Sequence, residues 1–180
     1  MGIREFDYCM MENALRSQNL TIKGLKMLQL GDQIYKEKNK QMIAKEYLES
    51  LGCFVISIDI KGENGSLSID LSKIISWPEY KNYFDIVTNF GTSEHVSDHM
   101  NCFKNMYYFC RKGGILCNLV PREGHWNDHS HQYAHKYTTE FFNTWAIEND
   151  CEIILNRIVK RKERGAGQGD NIFAVLKKTI

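Results

Sequence analysis

Small or polar residues stand at the ends of four apolar segments, where they could contact a ligand. Gly31 follows the first of these segments, and Asp59 and Asp70 lie at the ends of the second and third. Asn89 ends the fourth. If the segments are parallel strands, these residues share one edge of a sheet, which is where open α/β sheets bind ligands. The pattern favours a nucleoside-type pocket, although each residue is also an ordinary turn residue.

Asp59 is the strongest single ligand candidate in this set. It ends the second strand of a predicted βαβ unit, where Rossmann-like proteins use a carboxylate to accept hydrogen bonds from ribose hydroxyls. Gly31 removes a side chain and lets the backbone approach a ligand. The pyrophosphate-binding pattern GxGxxG is absent, because Gln33 and Lys36 occupy its other two glycine positions.

The elements that must position these residues follow from the hydrophobic pattern. Short apolar runs alternate with longer amphipathic stretches, which is typical of a mostly parallel sheet with helices on both faces. The predicted strands are 26–30, 53–60, 67–71, 84–89, 114–120, 151–159 and 171–176, and the predicted helices are 38–51, 98–111 and 138–149. The last two strands are joined by a segment too short for a crossover helix, so we expect them to pair antiparallel.

The composition is that of one globular domain. The chain has 180 residues, of which 43% are hydrophobic. We expect a core over 25–178, with 1–24 as an accessory segment or partial lid. Lys and Arg number 23 against 22 Asp and Glu, which argues against nucleic acid or an anionic membrane as a partner. Without a signal peptide, a membrane span or a CxxC pair, a cytoplasmic protein with reduced thiols is expected.

Several segments resemble the class I S-adenosylmethionine-dependent methyltransferases, and the resemblance covers about residues 25–178. The run FDIVTNFGTSEHV, residues 84–96, is similar to the fourth motif of that family and is the most specific match. RKGGIL, residues 111–116, resembles the turn before the fifth strand, and YTTEFF, residues 137–142, resembles the helix before the sixth. The resemblance implies a Rossmann-like three-layer α/β sandwich, whose mostly parallel seven-stranded sheet carries an antiparallel strand in its C-terminal hairpin.

The same resemblance implies where S-adenosylmethionine would bind. MLQLG, residues 27–31, is similar to the first motif, which holds the methionine part of the cofactor. In this motif Gln29 replaces the usual acid, and Gly31 is the one glycine that is retained. By the resemblance, Asp59 would bind the ribose hydroxyls.

Two further pairs of residues complete the implied cofactor site. Asp70 and Leu71 would lie beside the adenine. Asn89 and Phe90 belong to the fourth motif, whose residues face the sulfonium and the substrate in that family.

Three side chains could take a proton from an acceptor, namely His95, His129 and Glu94. Histidine has an unperturbed pKa near neutrality, which suits proton transfer. Glu94 could serve the same role if desolvation raised its pKa. The alternative for Glu94 and His95 is a helix-start cap beside a solvated imidazole.

The loop 124–135 carries four of the six histidines and follows the fifth strand. A metal site is one interpretation, because His131 and His135 would share a helix face and Asp128 could add an oxygen ligand. The other interpretation is a set of histidines that contact substrate or lie on the polar surface.

The leading hypothesis is methyl transfer from S-adenosylmethionine to an oxygen or nitrogen of a small-molecule or sugar-like acceptor, including a glycan. Gln29 and the missing glycines support a different class of protein, a catalytically inactive methyltransferase-like binding module. A metal-dependent enzyme centred on the histidine loop is a third hypothesis.

Overall fold

The computed structural model describes residues 2–38, 40–125, 135–165 and 169–180. Its strands are β1 (Gly2–Arg4), β2 (Lys26–Leu30), β3 (Ile34–Glu37), β4 (Lys40–Ile43), β5 (Phe54–Asp59), β6 (Leu67–Ser68), β7 (Phe84–Phe90), β8 (Cys110–Pro121), β9 (Cys151–Val159) and β10 (Asn171–Lys178). Its helices are α1 (Glu5–Ser17), α2 (Ala44–Ser50), α3 (His99–Phe109), α4 (Thr139–Glu148) and α5 (Arg161–Arg164). Short 3₁₀ turns form at Pro78–Tyr80 and Ser93–His95.

Seven of these strands form one sheet in the order β6-β5-β2-β7-β8-β10-β9. β6, β5, β2, β7 and β8 are parallel to one another, whereas β10 is antiparallel to both β8 and β9. β2 and β7 are buried along most of their length, as expected for central parallel strands with both faces covered. The prediction of a seven-stranded, mostly parallel sheet with an antiparallel C-terminal hairpin is confirmed.

Helices cover the two faces of the sheet and complete three layers. α1 and α2 cover one face, where Leu15 packs in a cluster with Met27 of β2. α3 and α4 cover the other face, where Phe103 and Trp145 pack in a cluster with Leu28. Successive residues of β2 therefore serve opposite faces, as the two-residue period of a strand requires. None of the described helices is long and apolar enough to span a membrane.

The N-terminal segment packs against the sheet through α1. Met11 is buried in the core cluster of that face. Asp7, also buried, accepts hydrogen bonds from Nε of Arg164 at 2.8 and 3.0 Å and from its Nη2 at 2.6 Å. This buried ion pair fixes α1 against α5, which lies in the connection between β9 and β10.

The predicted helix over 38–51 is wrong in its first half. The turn and second strand of an antiparallel β3–β4 hairpin occupy that half, and the helix α2 begins only at Ala44. Lys38, in the turn of the hairpin, has a φ of +44°, which a right-handed helix does not accommodate. β3 also pairs in parallel with β1, so a small second sheet forms in the order β1-β3-β4. Pairing with a strand about thirty residues away overrides the local helical pattern.

Three other boundaries show how local side chains end or begin elements. The third predicted strand shrinks to β6, because Asp70 Oδ1 accepts a hydrogen bond from the backbone N–H of Ser72 at 2.9 Å and turns the chain. α3 begins after Asp98, whose carboxylate accepts from the N–H of Asn101 at 3.0 Å. Thr138 caps α4 in the same way.

All six cysteines are free thiols.

Candidate functional site

A cavity of about 300 Å³ opens at the carboxyl ends of the parallel strands. The described residues that line it are 31–33, 59–60, 69–72, 91–92 and 95–97. These segments follow β2, β5, β6 and β7, so the cavity lies at the edge where the sequence predicted a ligand. Four of the predicted cofactor-binding residues line it, namely Gly31, Asp59, Asp70 and Leu71.

Gly31 occupies a position where a side chain does not fit. Its φ is +82°, and a Cβ built on it would collide with Oγ1 of Thr92 and lie 2.7 Å from Nε2 of Gln33. The Thr92 hydroxyl donates to the carbonyl of Leu30 at 2.8 Å, and the N–H of Gly31 donates to the carbonyl of Ile58 at 2.8 Å. These contacts hold the loops after β2 and β7 close together, with bare backbone exposed towards the cavity.

Asp59 links two loops at the cavity wall. One of its carboxylate oxygens accepts from the backbone N–H of Asp32 at 3.0 Å, and the other accepts from the backbone N–H of Lys61 at 2.9 Å. A carboxylate has about four lone-pair sites. Each oxygen can therefore hold its backbone donor and still accept a ligand hydroxyl.

Asp70 is an ionised side chain beside the cavity. Hydrogen bonds from the Ser72 hydroxyl and backbone N–H lower the pKa of its carboxyl. Leu71 next to it is buried and contributes apolar surface to the cavity wall.

The described lining of the cavity is acidic. It contains the carboxylates of Asp32, Asp59 and Asp70, and no Lys or Arg side chain among the described residues. Clefts lined by charges of one sign attract ligands of the opposite sign. The cavity therefore suits a ligand that carries positive charge better than one that carries phosphates.

Gln29 lies beneath the cavity and does not line it. Its side chain is 1% exposed and donates from Nε2 to the carbonyl of Gly31 and to Oγ of Ser57, at 3.2 Å in both cases. It therefore contacts the loop after β2 from below.

Asn89 and Phe90 also lie outside the described lining. Asn89 Oδ1 accepts from the backbone N–H of Ser93 at 3.0 Å, and its Nδ2 donates to Oγ of Ser93 at 2.9 Å. Phe90 is buried in the core against Phe173. Asn89 shapes the turn after β7, and that turn carries residues that do face the cavity.

Glu94 and His95 are adjacent in this turn but differ in environment. His95 lines the cavity, and its side chain is 28% exposed. Glu94 is 2% exposed, and neither carboxylate oxygen forms a hydrogen bond with the described part of the chain. Burial raises the pKa of Glu94 to about 8. Glu94 Oε1 lies 3.9 Å from His95 Nε2, so the two side chains form an ion pair when His95 is protonated.

A second group of polar side chains surrounds Ser93. The Tyr137 hydroxyl donates to Oγ of Ser93 at 2.9 Å, and Nδ1 of His99 lies 3.2 Å from that hydroxyl. The ring of His135 stacks on that of His99, with centroids 4.1 Å apart. Sequence reasoning did not identify Ser93 or His99; the polar composition of the segment directly after β7 was the available signal.

His129, His131 and Asp128 lie outside the described residues. His125 Nδ1 is 3.5 Å from Asp170 Oδ2. No group of three or more His, Cys, Asp or Glu side chains is arranged to hold a metal ion in the ranges the structure describes.

Comparison with solved structures identifies the fold. The Burkholderia thailandensis 1,6-didemethyltoxoflavin-N1-methyltransferase, solved with 1,6-didemethyltoxoflavin and S-adenosylhomocysteine, matches with a TM-score of 0.64 at 13% identity, over 97% of this chain and 82% of its own. A Methanosarcina mazei S-adenosylmethionine-dependent methyltransferase matches with a TM-score of 0.65 at 14% identity, over 92% of this chain and 97% of its own. The chain has the class I methyltransferase fold.

This fold is shared by proteins of more than one activity. A cyclase matches with a TM-score of 0.63 at 12% identity, over 95% of this chain and 80% of its own. No protein-family model matches the sequence, and a comparison with curated proteins finds no match. The reaction must therefore be argued from the site.

Proposed function

We propose that this protein is an enzyme that binds S-adenosylmethionine and transfers its methyl group to a small-molecule acceptor. The observation that carries the proposal is the acidic cavity at the carboxyl ends of β2, β5, β6 and β7, with Asp59 at its wall. S-adenosylmethionine combines a ribose, a positively charged sulfonium and no phosphate, so it matches this set of groups. A dinucleotide would place phosphates against three carboxylates without a described cation to neutralise them.

The described residues offer a contact for each part of the cofactor. Asp59 would accept hydrogen bonds from the ribose hydroxyls, while Asp70 and Leu71 would border the adenine. Gly31 lines the cavity and would present backbone rather than a side chain to the methionine part. Gln29 would act indirectly, because it holds the Gly31 carbonyl from below.

Further residues, and the turn after β7, belong to the acceptor side of the proposal. When bound, S-adenosylmethionine supplies an electrophilic methyl group. Asn89 would hold the turn after β7 in place, and Phe90 would anchor that turn in the core. His95, at the cavity wall, would take the acceptor's proton, and the adjacent Glu94 would assist this proton transfer. His129 remains a further candidate for this role.

Similar structures support a small organic acceptor, because the Burkholderia thailandensis enzyme is solved with a small-molecule ligand. An oxygen or a nitrogen of such a molecule, or of a glycan, would receive the methyl group.

The first test is calorimetric titration with S-adenosylmethionine, S-adenosylhomocysteine and NAD. We expect saturable binding of the first two and none of NAD, whose phosphates would meet the acidic wall. Binding of NAD alone, or of no nucleoside, would refute the proposal.

A binding module without catalytic activity is the second candidate. The observation in its favour is the β3–β4 hairpin, which follows the Gly31 loop and whose second strand replaces the first part of the predicted helix. Incubation with S-adenosylmethionine and pooled acceptors separates the two functions. The module would bind the cofactor without forming S-adenosylhomocysteine.

A further inference from the structure

We propose that the acceptor is an amine, which binds as its ammonium form beside Glu94 and His95 and gives a proton to this pair. The inference rests on the proposed function and names the substrate class of the same site.

The geometry places a buried carboxyl close to an imidazole that lines the cavity. His95 lines the cavity, and its Nε2 lies 3.9 Å from Glu94 Oε1. Glu94 is 2% exposed and does not line the cavity, so it acts through His95 as a positioning residue. Glu94 carries no hydrogen bond from any described residue. A buried carboxylate in this state is costly unless a positive group stands nearby.

No described side chain supplies that positive group. Arg164 favours the ionised form of Glu94, but its guanidinium is already paired with Asp7 through three hydrogen bonds. An ammonium group on the acceptor, or an imidazolium at His95, would provide the missing charge. Each would favour the ionised form of Glu94.

The cavity wall also favours an acceptor that carries a positive charge. Asp32, Asp59 and Asp70 present carboxylates, and no Lys or Arg is found in the described lining. An ammonium is attracted to this wall, whereas a carboxylate or phosphate acceptor would be repelled. The wall thus favours amines over anionic acceptors.

Methyl transfer to the amine conserves both protons and charge. As the ammonium binds, Glu94 releases its own proton to solvent, because the positive charge favours its ionised form. One N–H bond of the ammonium then breaks, its electron pair stays on nitrogen, and the proton passes to the ionised Glu94–His95 pair. The neutral nitrogen then forms a bond to the methyl carbon while the carbon–sulfur bond breaks and its electron pair goes to sulfur. The products are a methylated ammonium and neutral S-adenosylhomocysteine, with the proton left on the pair and later released to solvent.

The test uses sinefungin, an analogue of S-adenosylmethionine that carries an amine where the transferable methyl group would stand. Calorimetry would compare its affinity with that of S-adenosylhomocysteine for the wild-type chain, Glu94→Gln and His95→Asn. We expect the wild type to bind sinefungin about tenfold more tightly, as for one favourable charge contact. Both variants should lose most of this preference, while their affinity for S-adenosylhomocysteine stays within about twofold.

Glu148→Gln is the matched control, because Glu148 is exposed on α4, and it should keep the full preference. Equal wild-type affinity for the two ligands, or an unchanged preference in Glu94→Gln, would overturn the inference and leave the proposed function standing. Binding of neither ligand would refute the proposed function itself. Amine turnover in the acceptor pool would support the inference, and turnover of hydroxyl compounds alone would overturn it.

Discussion

Replacing Glu94 by Gln should stabilise the protein, and the gain should grow between about pH 4.5 and pH 8. The Glu94 carboxyl is buried without a hydrogen bond in the described part of the chain, and burial raises its pKa from 4.5 to about 8. In this pH range the unfolded chain releases the Glu94 proton while the folded protein keeps it. The wild type therefore loses stability as pH rises, because its unfolded state binds fewer protons.

The size of the stability gain follows from the pKa shift of Glu94. A change from 4.5 to about 8 corresponds to at most about 5 kcal/mol, at about 1.36 kcal/mol per pKa unit. Local relaxation and water entry reduce this value, so a gain of about 2–4 kcal/mol at pH 8 is expected. Below about pH 4.5 both states keep the proton, and the wild type and Glu94→Gln should differ little.

Urea denaturation at pH 4.5, 6 and 8 would measure the effect, with Glu148→Gln as the exposed control. The other ionisable groups near Glu94 in the described ranges are His95, Cys102, Tyr137 and Arg164. They are present in every variant, so the difference between the wild type and Glu94→Gln isolates the carboxyl. A difference that does not change with pH, or a Glu94→Gln variant that is less stable at pH 8, would refute the reasoning.

Three further changes test the site and its support. Asp59→Asn should weaken S-adenosylmethionine binding by about 1–3 kcal/mol, as for loss of a charge-assisted hydrogen bond; calorimetry giving an unchanged Kd would contradict the ribose contact. Gly31→Ala should destabilise the loop by about 1–3 kcal/mol, because its φ is +82° and its Cβ site is occupied; an unaltered melting temperature and Kd would argue against this. Asp7→Ala should cost about 3–5 kcal/mol by leaving Arg164 buried and unpaired. Denaturation of the double variant Asp7→Leu/Arg164→Met should recover much of this loss, and a double variant as unstable as the single one would count against the ion-pair explanation.

The edge of the sheet that forms the cavity could be predicted because its signals are local. An apolar run that ends in a small or acidic residue predicts a buried strand with a polar terminus. Parallel strands then bring their carboxyl ends together whatever their order in the sheet. Gly31, Asp59, Asp70 and Leu71 line the cavity for this reason.

Other features depend on partners that are distant in the sequence. Residues 38–51 carry a helical pattern, but their first part joins a hairpin because β3 pairs with β1 near the N-terminus. The resemblance implies a ligand contact for Gln29, and in the fold its buried side chain donates to the Gly31 carbonyl and to Ser57 of a neighbouring strand. In both places a nonlocal backbone or side-chain partner decided between alternatives that were locally similar.

The sequence by itself determined the α/β class, the antiparallel C-terminal hairpin and the edge of the sheet that carries the site. Strand and helix periodicity, chain direction and the length of the last connection are properties of the chain alone. Only the tertiary structure decided that Glu94 is buried beside a partly exposed His95, and that the described wall of the cavity carries three carboxylates without a Lys or Arg. Burial and local dielectric depend on every element packed around a group, so a raised pKa emerges only when those elements have come together.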